Sequence, residues 1–273
     1  MNQMKLFIFS LMLIFSAPIK ADIVVLIHGY LGSPDSWESS GINKRLHLAG
    51  WKKAGIVFDS PNGIMKTNVF EEPYDHHVYS VSLPSKAPAL YQAGLLRKMI
   101  SALIQRHPGE KMTLIGHSAG GVVARLMIVK FGSGPINRLI TIASPHLGTG
   151  LAVRALDETH NSLPVGIIKN IFGGEKYQIA KSSTGILIDL VPPRPGSMLY
   201  WLNSQIHPEI EYISIVRGKN INFNGDAIIP GFSQDMNNIP ALKGKSVTYY
   251  TPTEHELNRI DGQAIETLLE PIF

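Results

Sequence analysis

The 273-residue chain has no cysteine. Disulfides, thiolate metal sites and cysteine nucleophiles are excluded, and an exported form must be held together by its core alone. Charge of one sign is also scarce: 25 lysines and arginines face 21 aspartates and glutamates, a formal +4. So mild a balance gives no reason to expect nucleic acid or an anionic membrane as partner, because both are bound through dense basic clusters. Internal repeats and low-complexity tracts are missing. So is any apolar run of the roughly 20 residues that a membrane-spanning helix needs.

The longest apolar run, residues 6–15, follows Lys5 and is followed by a polar stretch ending at Ala21. This is the layout of a secretory signal peptide, with cleavage after Ala21 preferred and after Ala17 second. Loss of residues 1–21 takes away Lys5 and Lys20 and no acid, leaving +2. The mature chain of 252 residues is expected in the periplasm or the medium, and its length suits one α/β domain.

Short β-branched runs alternate with longer helical ones, which predicts a mostly parallel sheet with helices on both faces. Strands are expected at 22–28 (DIVVLIH), 76–83, 111–116, 136–143, 211–216 and 246–250, and helices at 35–48, 88–107, 119–131 and 260–269. Residues 51–75 read as loop with a short strand or hairpin. The alternation breaks at 148–189, where glycine pairs and an apolar VGIIKNIF piece suggest a cap or lid that moves over a site.

Gly116-His117-Ser118-Ala119-Gly120 matches G-x-S-x-G, a sharp strand-to-helix turn that exposes a serine hydroxyl. The glycines are needed because backbone passes too close for a Cβ. Five letters alone are weak evidence, but an apolar strand enters and a helix leaves, as the motif's mechanics demand. The competing reading makes Ser118 only a helix N-cap.

A hydroxyl needs a base to take its proton and an acid to orient that base. Of the histidines after Ser118 (His146, His160, His207 and His255), only His255 follows a convincing late strand. Asp157, Asp189, Asp226 and Asp235 are the candidate aspartates. Asp226, in NGDAIIP, is preferred, and Asp189 is the alternative acid. Attack places negative charge on the substrate oxygen, so two N–H donors are required. Ala119, at the positive end of its helix, is one, and Tyr30, in the Gly29-containing loop after the first strand, is the other.

VVLIHGYLGSPDSW, LIGHSAGGVVAR, ITIASPHLGT, DLVPPRPGSMLYWLN, NGDAIIP and TEHELN together resemble the α/β-hydrolase superfamily, in its bacterial lipase and esterase (triacylglycerol lipase-like) branch. The resemblance spans residues 24–258. It implies an α/β-hydrolase fold with Ser118 as nucleophile, His255 as base, Asp226 as orienter, Tyr30 and Ala119 as oxyanion hole, and a cap after Gly148. No metal and no cofactor are expected.

An exported serine hydrolase of carboxylic esters with apolar acyl chains is the favoured function. Its partner is a small ester or lipid, with transient contact with a lipid surface and none with nucleic acid. An acyltransferase or phospholipase with the same residues is the alternative, and a non-catalytic lipid-binding protein is the third reading.

Overall fold

A computed structural model describes residues 22–67, 76–160, 178–179, 181–220 and 223–269. The expected signal peptide and the VGIIKNIF piece lie outside them. Among the described residues no helix is long and apolar enough to cross a membrane.

The sheet contains β1 (Asp22–Ile27), β2 (Lys52–Ser60), β3 (Gly63–Lys66), β4 (His76–Ser82), β5 (Lys111–His117), β6 (Ile136–Ile142), β7 (Glu211–Asn220), β8 (Phe223–Asn224) and β9 (Ser246–Thr251). Strand order is β3-β2-β4-β1-β5-β6-β7, with β9 parallel beside β7 and β8 folded back antiparallel on the far end of β7. Apart from those of β3 and β8, every pairing is parallel.

The helices are α1 (Asp35–Ser39), α2 (Ile42–Leu48), α3 (Ala89–Arg106), α4 (Ala119–Phe131), α5 (Gly150–His160), α6 (Thr184–Asp189), α7 (Met198–Asn203), α8 (Gly231–Gln234) and α9 (Arg259–Leu269). Side chains alternate across a strand, so β1 feeds two cores at once. Ile23, Val25 and Ile27 pack with α3 and α4, while Val24 and Leu26 pack with Trp37, Ile42, Leu46 and Ile265 from α1, α2 and α9. These five residues of β1 are fully buried, each stabilising by about 1.5–3 kcal/mol relative to exposure. A strand apolar on both faces is what a sheet covered on both sides requires.

Two stretches differ from the sequence expectation and a third fits it. The helix expected at 35–48 is two helices, because Gly41 takes φ 80° between them, a conformation cheap only for glycine. Residues 52–66, within the stretch read as loop with a short strand or hairpin, form the β2–β3 hairpin at the sheet edge, turning through Pro61-Asn62. β7 continues past Val216 to Asn220, and β8 then folds the chain back antiparallel along it. In the 148–189 insertion the described parts include α5 and α6, which pack on each other.

Candidate active site

The loops leaving β1, β5, β7 and β9 converge at the C-terminal edge of the sheet, the usual site edge of such folds. β5 ends at His117, and α4 begins at Ala119, leaving Ser118 alone to make the turn. It does so at φ 51°, ψ −128°, a strained conformation for a residue with a Cβ. Its amide donates to the Ile142 carbonyl at 2.8 Å, and its carbonyl accepts from Gly121 at 3.1 Å.

The neighbouring glycines are required by distance. A Cβ on Gly116 would lie 2.5 Å from Gly121 Cα, one on Gly120 2.6 Å from the Ile27 carbonyl, and one on Gly29 2.8 Å from Ser118 Cβ. The β1 loop is thus pressed onto the first turn of α4.

Ser118 sits at the N-cap position, yet its side chain caps nothing. Its Oγ instead lies 3.0 Å from His255 Nε2. His255 Nδ1 is 3.0 Å from Asp226 Oδ2. A carboxylate only accepts, so the imidazole proton resides on Nδ1 and Nε2 is free to accept from the serine hydroxyl. Asp226 Oδ1 accepts the Ile228 and Ile229 amides, both at 2.8 Å, and Oδ2 accepts from Gln234 Nε2 at 3.0 Å. Burial alone would raise the Asp226 pKa. The His255 hydrogen bond and charge, with the two amides, outweigh it and hold the carboxyl below its ordinary value.

Several residues that sequence reasoning passed over fix this chain of contacts. Arg217, fully buried within β7, donates to the carbonyls of His255 and Glu256 at 3.2 and 3.1 Å. It also bonds Thr251 and Thr253 and pairs with fully buried Asp261 on α9. Its backbone amide donates to Gln234 Oε1 at 2.8 Å, and its carbonyl accepts from Gly225, next to Asp226. One residue therefore braces both the loop of His255 and the loop of Asp226. His117 Nε2 donates to the His255 carbonyl from the other side at 2.9 Å; burial, then the nearby His255, lowers its pKa to about 3. His28 Nδ1 donates to the Gly29 carbonyl and its Nε2 accepts the Leu83 amide, tying the β1 loop to the end of β4.

Tyr30 lies in the β1 loop that lines the cleft, Ala119 opens α4 directly after Ser118, and among the described residues neither amide has a hydrogen-bond partner within the protein. Gly29, Tyr30, Leu31, Ser118, His255 and Leu257 line a cleft of about 240 Å³. Leu31 adopts φ 58°, a second strained non-glycine residue at the site.

The remaining candidates are placed elsewhere. Asp189 Oδ2 accepts the Ala89 amide at 2.7 Å, capping α3 from 100 residues away, and burial raises its pKa. Asp235 serves the Asn237 amide and Thr248. His146 meets Thr141, and His207 meets buried Arg125. Asp157 lies on α5 with no described link to His255, and the side chain of His160 is outside the described residues.

A family model described as the PGAP1-like alpha/beta domain matches residues 19–167. Among solved structures, the lin2722 gene product of Listeria innocua shares the fold at TM-score 0.64 and 14% identity, over 93% of this chain and 95% of that one. Lipase BlEst2 of Bacillus licheniformis, in its mature form, matches at 0.55 and 15% identity, over 93% and 94%. Phospholipase PlaB of Legionella pneumophila matches at 0.52 and 17% identity, over 79% of this chain and 46% of its own. A search of curated protein sequences finds no match. The fold is that of the α/β-hydrolase superfamily, as the sequence motifs imply.

Proposed function

We propose, for a chain that belongs to the PGAP1-like alpha/beta domain family and has the fold of lipases and esterases, that it is an exported serine hydrolase of carboxylic esters with apolar acyl chains. The observation that carries this reading is the unbroken run from Ser118 Oγ through His255 to Asp226, at 3.0 and 3.0 Å. His255 Nε2 takes the serine proton as Oγ attacks the ester carbonyl. The imidazolium so formed is stabilised by the ionised Asp226, whose other oxygen is already committed to two amides.

The tetrahedral oxyanion is held by the Tyr30 and Ala119 amides, which cost no reorganisation because the loops are already packed. His255 then protonates the leaving alcohol. Water, activated by the same imidazole, releases the acid from the acyl-serine. Leu31 and Leu257 are the apolar side chains in a cleft otherwise lined by Tyr30, Ser36, Ser39 and Glu256 around Ser118 and His255. The apolar VGIIKNIF piece of the 148–189 insertion is what supports reading that segment as the cover over an apolar chain.

Hydrolysis of p-nitrophenyl esters from acetate to palmitate tests the reading. Ser118→Ala should lower kcat on the preferred ester by a factor on the order of 10⁶ with the fold retained by circular dichroism. Undiminished turnover in that variant would remove Ser118 from the mechanism. The same acyl-serine could pass its acyl group to a lipid alcohol or arise from a phospholipid. Product analysis with added lipid alcohols and phosphatidylcholine separates these acceptors and donors.

A further inference from the structure

At the edge of the sheet opposite Ser118, three side chains with metal-binding atoms converge from two chain segments, the start of β4 and the α3–β5 turn. His77 stands near the start of β4, His107 closes α3, and Glu110 directly precedes β5. One ligand atom from each lies within 4.8 Å of the other two. His107 Nδ1 and Glu110 Oε2 are 3.3 Å apart, yet Glu110 Oε2 is buried without making a hydrogen bond. Close approach without hydrogen-bond alignment is the relation of two ligands aimed at one ion. Two atoms bound tetrahedrally to zinc at 2.0–2.2 Å are separated by about 3.4 Å.

The surroundings fit as well. His107 Nε2 is 2.8 Å from the Tyr79 hydroxyl, the outer bond that fixes which imidazole nitrogen faces an ion. The His77 and His107 rings lie 4.9 Å apart at 50°. Three atoms at the corners of a 4.8 Å triangle sit about 2.8 Å from its centre, so inward movement of about 0.7 Å each reaches bonding distance. Rotamer adjustment supplies that much.

We propose that His77, His107 and Glu110 form a site for a divalent transition-metal ion of the zinc type, with water completing the shell. Two imidazoles and one carboxylate suit zinc or cobalt and disfavour calcium and magnesium, which take oxygen ligands. Bound there, the ion clips the start of β4 to the α3–β5 turn, far from the proposed chemistry, so the site stands or falls independently of the hydrolase reading. Without an ion, Glu110 Oε2 stands 3.3 Å from His107 Nδ1 with no hydrogen bond made.

Tag-free, EDTA-dialysed full-length protein is titrated with Zn²⁺ by calorimetry and with Co²⁺ by visible absorption, and its Tm is measured with and without Zn²⁺. One ion per chain is expected, with a Tm rise that EDTA reverses. Glu110→Gln, which keeps the shape, and His107→Asn should each weaken binding by about tenfold or more. His47→Asn, on the exposed face of α2, should not. Circular dichroism establishes that each variant folds. No ion bound by the wild type, or equal affinity in Glu110→Gln and His107→Asn, overturns the site.

Discussion

At the residue scale, Asp226 and Arg217 do different work on the same imidazole. Asp226 sets its tautomer: Asp226→Asn offers an amide that can hold the ring with the proton on the wrong nitrogen, and kcat should fall by a factor on the order of 10⁴ with little change in Tm. Asp189→Asn, assayed beside it, should keep kcat and lose about 1 kcal/mol of stability through the α3 cap. The reverse pattern would move the acid to Asp189.

Arg217 acts through backbone. Its guanidinium holds the His255 and Glu256 carbonyls, so a shorter fork displaces the ring by a fraction of an ångström. Arg217→Lys should cost about 10²-fold in kcat with KM nearly unchanged. Added guanidinium should restore part of the activity of Arg217→Ala, which a purely structural loss would not allow. Ser118, His255 and the preferred Asp226 were readable because each answers a chemical requirement at a predictable strand end. Arg217 carried no such signal: an arginine closing the apolar strand EYISIV reads as a solvent-facing charge, and only β9 and α9 folding over it reveal Asp261 and two carbonyls.

At the scale of elements, the strand-turn-helix around Ser118 stores strain that packing over-determines. The turn forces φ 51° on a residue with a Cβ, a cost of about 1–3 kcal/mol. Ser118→Gly should therefore raise stability by roughly that amount while abolishing turnover, measured as an upward shift of the urea midpoint. An unchanged or lower midpoint would mean the elbow is not strained. The central elements were legible because β1, β5, α3 and α4 have unbroken apolar patterns. The β2–β3 hairpin was legible only as a short strand or hairpin somewhere in 51–75, since its edge strand is half-exposed and its register shifts between Lys53 and Gly55. Gly41 likewise reads as tolerable within a helix until its φ is seen.

At the scale of the whole molecule, burial of neutral histidines makes the fold acid-sensitive. Burial is the largest influence on His117, His207, His146 and His28, and all four have lowered pKa values, to about 3 for His117 and about 4 for His207. The unfolded chain binds these protons near pH 6.5 while the folded chain resists. Their contribution is intact above about pH 6.5 and is lost as pH falls toward 4 and 3, by up to about 1.4 kcal/mol per pH unit for each histidine. Urea midpoints should fall steeply between pH 6.5 and 4, and His207→Gln should flatten that fall. A midpoint independent of pH over this range would contradict the buried neutral assignment. His207 and His146 surround Arg125, fully buried with its pKa lowered to about 9, so each added proton meets a charge already in place.

The central claim, that Ser118 is a nucleophile activated by His255 and oriented through Asp226, is tested most directly by fluorophosphonate labelling followed by mass mapping of the modified peptide. The account predicts one adduct per chain, on Ser118, whose rate of formation falls sharply in His255→Gln and Asp226→Asn. An unreactive folded protein, or an adduct on a different residue, would contradict it.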